Sequence, residues 1–456
     1  MTALGLALLV PWAGGVILIV LDGRRQVVGW VALAVLVATV ASVVAVAAAV
    51  FSSGPVVFTT GNWPEGVGIT LRADALGATF ALLSVVMLVA AAVHELLEGV
   101  RDREFFGLTL LLATGLIGAF LTGDLFNFYV FFELALVSSY VLAVEGRTAR
   151  GLGAGLVFTA VNLVGTFVFL LSVAGIYRVT GTLDMARIAA RMTDADPNAA
   201  ILIAVGFFVA FSVKLGLFPF HFWLPTVYTG SRPVVAAILS GSLANIGAYG
   251  LLRFGGEMLP RELELAAAAL IVLGGASILY GGVLAVSRRT ASEMLAYSAI
   301  GQVGYVLLAV GIGGPVGFAA AVLYTIVNAL NKTMLFLTTR LRGAIVGGLF
   351  AIGAMSVAGV PPAAGFVGKL ELFRSVAHSP ILIGLLLVGS LLSLVYAFQM
   401  YQYDHWRVDR GSQPASGREQ AIPLILAAVI LGVGLWPEPL LAVSQAAAGV
   451  LTGSPP

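Results

Sequence analysis

Three lysines carry the chemical signal in this sequence: Lys214, Lys332 and Lys369. The other 21 of its 24 basic residues are arginine. All three lysines lie inside apolar stretches, whereas nearly all the arginines stand at the ends of such stretches or between them. Arginine keeps its charge in a protein, but a lysine withdrawn from water can give up its proton. The releasable cation is thus placed in the apolar segments and the permanent one outside them. That division suits a proton carrier.

Glu133 joins the lysines. It lies in GDLFNFYVFFELALVSSY, nine residues after Asp124, or about 14 Å along a helix at 1.5 Å per residue. An ionisable group near mid-membrane is a functional hypothesis by default, the alternative being a structural bond between helices. Lys214, in VKLGLFPFHFWLP, precedes Pro219 by five residues; Lys369, in GVPPAAGFVGKLELF, follows Pro361 and Pro362 by eight and seven. Proline removes a backbone donor and interrupts a helix. Such a break is tolerated at depth only where protein buries it or a wet cavity adjoins it. Two broken helices, each with a lysine and one in each half of the chain, suggest an internal repeat of the transporter kind. Lys332 sits between them in YTIVNALNKTMLFL, where Asn328 and Asn331 make a polar patch; a lysine snorkelling to the interface is the plainer alternative. His221 follows the first break and either shares a cavity with Lys214 or serves as a structural donor. Ser240, Ser242, Asn245 and Tyr249 make one apolar segment unusually polar, suited either to ordering water beside Lys214 or to tying helices together.

For these groups to meet, the apolar segments must cross a bilayer. The chain has 456 residues, 60% hydrophobic and 10% charged, with a mean hydropathy of +1.04. A soluble domain carries about 25% charged residues, so an ordinary water-soluble enzyme is excluded. Fourteen spans of about 20 residues would use about 280, close to the hydrophobic pool. They fall near 3–21, 27–51, 74–93, 105–121, 124–144, 155–177, 199–222, 233–252, 265–286, 293–312, 315–339, 344–373, 381–402 and 421–443. The first has no basic stretch before it and reads as a helix, not a cleaved signal peptide.

Loops following odd-numbered spans hold 14 arginines and those following even-numbered spans hold 7. The arginine-rich side faces the cytoplasm by the positive-inside rule, which puts both termini outside. After the second span, PVVFTTGNWPEGVGITLR predicts an extracytoplasmic hairpin. GSQPASGRE, residues 411–419, predicts a flexible cytoplasmic connector. The 55 glycines are spread through the spans and read as sites of close helix packing. With no cysteine there is no disulfide, iron–sulfur cluster or thiolate metal site. The four histidines lack ligand spacing, so no metal or cofactor is expected, and a net charge of +2 gives no reason to expect nucleic acid.

The motifs DLFNFYVFFELALVSSY, TGTLDMARIA, KLGLFPFHFWLP and AGVPPAAGFVGKLELF resemble the antiporter-like membrane subunits shared by Mrp-type sodium/proton antiporters, respiratory complex I and membrane-bound hydrogenases. The resemblance covers roughly residues 60–405, and the motifs look most like the D subunit of the Mrp type. It implies an all-α polytopic fold of about 14 transmembrane helices with two inverted five-helix repeats, spans 4–8 and 9–13, each containing a Pro-broken helix. The chain then divides into 1–104, three helices with the hairpin; 105–254 and 255–405, the two repeats; and 406–456, the connector and last helix. The resemblance also implies that Glu133 and Lys214 form a coupled pair and that Lys332 and Lys369 continue a hydrated proton path.

Four positions depart from the family pattern. Asn245 stands where a lysine is common, Asn328 where a histidine is common, and Ser292 and Glu293 where a Lys-Arg pair is usual. Asparagine cannot titrate, so water would have to bridge the first two. The implied protein is a secondary-transporter subunit, not an enzyme. It would work with other membrane subunits, protons and sodium ions in a prokaryotic-type cytoplasmic membrane. Two alternatives stay open: a membrane-arm subunit of a complex I-like or hydrogenase complex, and a non-transporting scaffold.

Overall fold

The computed structural model describes residues 3–62, 68–100, 102–144, 149–406 and 414–453. Among the described residues, eleven helices are long and apolar enough to cross a membrane, and Ala3–Leu18, Phe105–Phe120 and Ala344–Ala358 are shorter apolar helices. The chain is an all-helical multi-pass membrane protein. Its exception is the expected hairpin, in which β1 (Val56–Thr59) pairs antiparallel with β2 (Thr70–Ala73); residues 63–67 of its turn lie outside the described residues.

Polar content decides which helices lie inside. Lipid offers no hydrophobic force to sort apolar faces, so packing and hydrogen bonds do the sorting. The apolar stretches of the polar helices Pro233–Met258 and Gly314–Thr338 are each 94% buried, against 28% for Pro380–Trp406. Glycine sets the spacing. A β-carbon on Gly304 would come within 2.6 Å of the Gly274 carbonyl, so Pro260–Val286 and Ala291–Ile312 meet backbone to backbone. The close-packing reading of the glycines holds here.

The expected break in residues 344–373 is present, with Ala344–Ala358 and Ala364–Ser375 separated at Pro361 and Pro362. The departure comes at the end of the chain. The last span is likewise two helices, Gly417–Leu435 and Glu438–Thr452, because Pro437 has no N–H with which to continue the first. Glu438–Thr452 turns back and buries Ser444, Ala447, Ala448 and Leu451. A short amphipathic helix, Met185–Met192, is an addition to the expected spans; it buries Met185, Ile188 and Met192 and leaves both its arginines exposed. Residues 407–413 of the connector region lie outside the described residues, but its end is not loose chain. The Ser416 hydroxyl accepts from Glu419 N–H and the Glu419 carboxylate accepts from Ser416 N–H at 2.6 Å, a capping box that starts the final span.

One helix pair organises the rest. Ala75–Glu98 and Pro233–Met258 run antiparallel and are stapled at both ends. At one end Arg253 pairs with Asp74 at 2.6 Å and with Glu257 at 2.5 Å, while Arg72 of β2 pairs with Asp74 at 3.1 Å and Glu257 at 2.5 Å. At the other, Arg232 bridges Glu95 and Asp102, both at 2.5 Å. Midway, the Ser242 hydroxyl donates to the Ser84 carbonyl at 3.1 Å, and the Asn245 amide donates to the Ser84 hydroxyl at 3.2 Å. Neighbouring bonds group the loops into two opposite sets. Asp102 and Arg103 join the loop at Gly23 and Arg232, whereas β2 joins Leu121, Gly123 and Glu257.

Burial pushes the Asp74 carboxyl up, but Arg253, Arg72 and the Gly77 N–H outweigh it and hold the group below its ordinary value. A lowered folded pKa stabilises above the ordinary carboxylate range, and the benefit is lost as pH falls through the folded value. Asp74→Ala strands a buried arginine and is expected to cost about 3–5 kcal/mol. Thermal unfolding of the purified protein checks this. The wild type should lose stability as pH falls through the folded Asp74 value, and the variant should lose less over the same range.

Candidate functional site

Each half of the chain has a helix break beside a lysine, and the two breaks are closed the same way. Pro197–Leu215 ends at Gly216, whose φ of 68° places it in the left-handed region open to glycine. Its N–H donates to the Val213 carbonyl at 3.2 Å, and Leu217 N–H donates to the Ser212 carbonyl at 3.1 Å. Ala344–Ala358 ends at Gly359, with φ of 82°. There Gly359 N–H donates to the Ser356 carbonyl at 3.0 Å and Val360 N–H to the Met355 carbonyl at 2.9 Å. Both are glycine C-caps that recover helix-end carbonyls, and both precede a cis X–Pro peptide, at Pro219 and Pro362. Side chains take more of the freed groups. The Trp223 indole donates to Val213 O at 2.8 Å, and Lys369 donates to Ala358 O at 2.9 Å.

Lys214 is 6% exposed and lies one residue inside the end of the first broken helix. Its ammonium donates to the Asn162 carbonyl at 2.8 Å and to the Thr166 hydroxyl at 2.9 Å, and lies 4.8 Å from the Phe132 ring centre. Thr166 in turn donates to Glu133 Oε1 at 2.7 Å. The expected pair is therefore brought together, but through a hydroxyl that sequence reading did not single out. A signal was there: Asn162 and Thr166 are four apart, hence on one face, in an otherwise apolar helix.

In the second half, Lys332 donates to the Leu295 carbonyl at 3.0 Å and to the Ser298 hydroxyl. Beyond Ser298 on the same helix, the Gln302 amide donates to the Tyr396 hydroxyl at 2.8 Å and accepts from the Tyr324 hydroxyl. The Tyr305 ring lies 5.2 Å from that of Tyr324, and the Lys369 ammonium is 5.3 Å from the Tyr305 ring centre. Ser298, Gln302, Tyr305, Tyr324 and Tyr396 thus fill the space between Lys332 and Lys369. The spacing-by-four of Tyr324, Asn328 and Lys332 was the available clue. Asn328 and Asn331 each have a buried Oδ1 without a hydrogen-bond partner among the described residues, and buried carbonyls of this kind commonly take water.

Other candidates face elsewhere. Ser240 bonds to its own helix at Ala236 O, 2.7 Å, while Ser242 and Asn245 tie to Ser84. The Tyr249 hydroxyl accepts from Arg253 and donates to Phe120 O at 3.1 Å, within the ion cluster at the helix end. His221 stacks on Phe218 and lies 4.4 Å from the Tyr280 ring, with Nδ1 unpartnered among the described residues. Beside Lys214 is a cavity of about 10 Å³, lined by Asn162 and Tyr228 and by the apolar Leu136, Leu239 and Leu243. That volume admits about one water. Leu239–Leu243 is a π-helical segment, which turns these leucines toward the lysine. No His, Asp and Glu cluster among the described residues could hold a metal.

This arrangement defines a membrane protein whose buried amines and hydroxyls can hand on protons. Residues 122–394 match the family described as NADH:quinone oxidoreductase/Mrp antiporter, TM, and the chain belongs to that family. It is 31% identical over 418 residues to the D subunit of the Na(+)/H(+) antiporter of Alkalihalophilus pseudofirmus, covering 85% of each chain. It superposes with a TM-score of 0.89, at 27% identity, on a chain in the structure of the Mrp complex from Dietzia sp. DQ12-45-1b, covering 98% of this chain and 97% of that one. A chain of respiratory complex I from Thermus thermophilus gives a TM-score of 0.85 at 25% identity, covering 98% and 99%.

Proposed function

We propose that this chain is the D subunit of an Mrp-type sodium/proton antiporter. It is a proton-translocating membrane subunit that works with other membrane subunits in a bacterial cytoplasmic membrane. The carrying observation is the bonding of the lysines. Lys214, Lys332 and Lys369 are 6%, 1% and 5% exposed, and all their hydrogen bonds described above go to neutral oxygens. Glu133 stands one hydroxyl away from Lys214, and among the described residues no ion pair joins Lys332 or Lys369. A buried ammonium held mainly by neutral oxygens is costly, and lysine, unlike arginine, can relieve the cost by releasing its proton.

On this reading Glu133 and Lys214 exchange a proton in the first half, and the cavity at Leu239 and Leu243 leads toward Lys332. Ser298, Gln302 and the tyrosines lead on to Lys369, and Asn328 and Asn331 hold bridging water. Residues 105–254 and 255–405 are the two repeats, an assignment supported by their matched breaks. The arginine distribution supports both termini lying outside. The fold likeness to a complex I chain supports a second reading, a redox-driven complex. This chain has no cysteine for an iron–sulfur centre, so such centres would lie on co-purifying proteins, whose masses decide between the two.

Five substitutions at four positions test the path by sodium-driven proton exchange in everted membrane vesicles. Glu133→Gln or Lys214→Ala should remove most exchange while the complex still assembles; a wild-type rate in either assembled variant overturns the pairing. Lys369→Arg retains the charge but cannot shed it, so exchange should fail. Normal exchange would make Lys369 a structural residue. Asn328→Leu should interrupt the path because leucine neither donates nor accepts, whereas Asn328→His should leave exchange intact.

A further inference from the structure

Threonine in the middle of a helix ordinarily returns its hydroxyl to the carbonyl four residues back. This chain follows the habit repeatedly: Thr109 bonds Phe105 O, Thr114 bonds Leu110 O, Thr325 bonds Ala321 O and Thr333 bonds Ala329 O, at 2.7 to 2.9 Å. Thr166 breaks it. Its hydroxyl donates to Glu133, and the carbonyl it would have taken, Asn162 O, goes to Lys214. Gly165 makes room for the exchange. A β-carbon there would sit 3.1 Å from Val213 and 3.6 Å from Lys214 Cε, so its absence lets the lysine stem lie against this turn.

We propose that Thr166 is a proton-relay residue, the hydroxyl through which Lys214 and Glu133 exchange a proton. The inference rests on the proton-path reading above and names the group that couples its first two members. No ion pair joins Glu133 and Lys214 directly among the described residues; the hydroxyl is their hydrogen-bonded link. A hydroxyl has one proton to donate and two lone pairs to accept with. Here the proton points to the carboxylate and a lone pair receives the ammonium. Transfer moves two protons in concert. A Lys214 N–H bond breaks as its proton joins Thr166 Oγ1, while the original Thr166 proton leaves for Glu133 Oε1. The products are a neutral amine, a neutral carboxylic acid and a hydroxyl now directed at the amine. Charge is conserved and no further reactant enters. The hydroxyl's rotation afterwards restores the starting direction.

The test uses the whole complex in everted vesicles. It measures sodium-driven exchange from neutral to alkaline pH, with assembly followed by co-purification. Thr166→Val keeps the shape and deletes the hydroxyl, and should lower exchange by about a hundredfold, the scale of a positioned proton-transfer group. Thr166→Ser should restore most of the rate with the wild-type pH profile. Should the valine complex fail to assemble, Thr166→Ala carries the same expectation. Glu133→Gln and Lys214→Ala run alongside. If both are inactive while assembled Thr166→Val keeps the wild-type rate and profile, the inference is overturned and the path survives. It is also overturned if serine, assembled, is as inactive as valine. If Glu133→Gln and Lys214→Ala exchange normally, the path reading itself falls.

Discussion

A helix broken within a bilayer frees carbonyls with no water to bond them, and a lysine at that depth has N–H groups with no water to receive them. In this protein the two problems meet at the same places. Lys369 donates to Ala358 O, a carbonyl freed by the second break. Lys214 stands at the end of the first, where Gly216, Leu217 and Trp223 take the local carbonyls and the lysine reaches across to the neighbouring helix. The breaks are therefore tolerable only in the company of such donors, and the lysines only in the company of acceptors. Removing either partner exposes the cost of the other.

This mutual satisfaction requires fixed depth, which the stapled pair Ala75–Glu98 and Pro233–Met258 supplies. Ion clusters at both ends set the register between them, and the Ser84 contacts hold the middle. Most of the polar side chains of Pro233–Met258 are engaged in that attachment. What the helix presents to Lys214 is leucine and a small cavity. Asn245, standing where the family commonly has a lysine, is accordingly part of the attachment to Ser84. The proposed route between the halves passes a constriction that holds little water, and Tyr228 is the polar side chain nearest to hand, its ring 5.5 Å from Phe336 of the Lys332 helix.

The second half is wired differently. Instead of one hydroxyl between two ionisable groups it has a set of neutral polar side chains, Ser298, Gln302, Tyr305, Tyr324 and Tyr396, lying between two amines. Neutral hydroxyls and amides carry hydrogen bonds in a low-dielectric interior without the desolvation cost of another ion.

The class of the molecule, its many apolar passages, the breaks beside Lys214 and Lys369, and the presence of four ionisable groups in apolar stretches were all legible along the chain, because they are local properties. A run of about 20 apolar residues, a proline or a lone lysine announces itself without reference to any other part of the chain. Two further local signals, the Ser416–Glu419 capping box and the Asn162–Thr166 spacing, were equally legible and did not stand out among many similar patterns. The use made of each polar group was settled only by packing. Thr166 and Thr333 look alike in their helices, and Tyr249 and Tyr324 look equally buried. One of each pair faces an ion or a helix-end cluster, and the other faces its own backbone or Gln302. A side chain's partner depends on which helix crosses it and at what depth, and that follows from contacts between residues tens to hundreds of positions apart, such as Asp74 with Arg253. No local pattern encodes a crossing, so the partners of each lysine became visible only once the helices were packed.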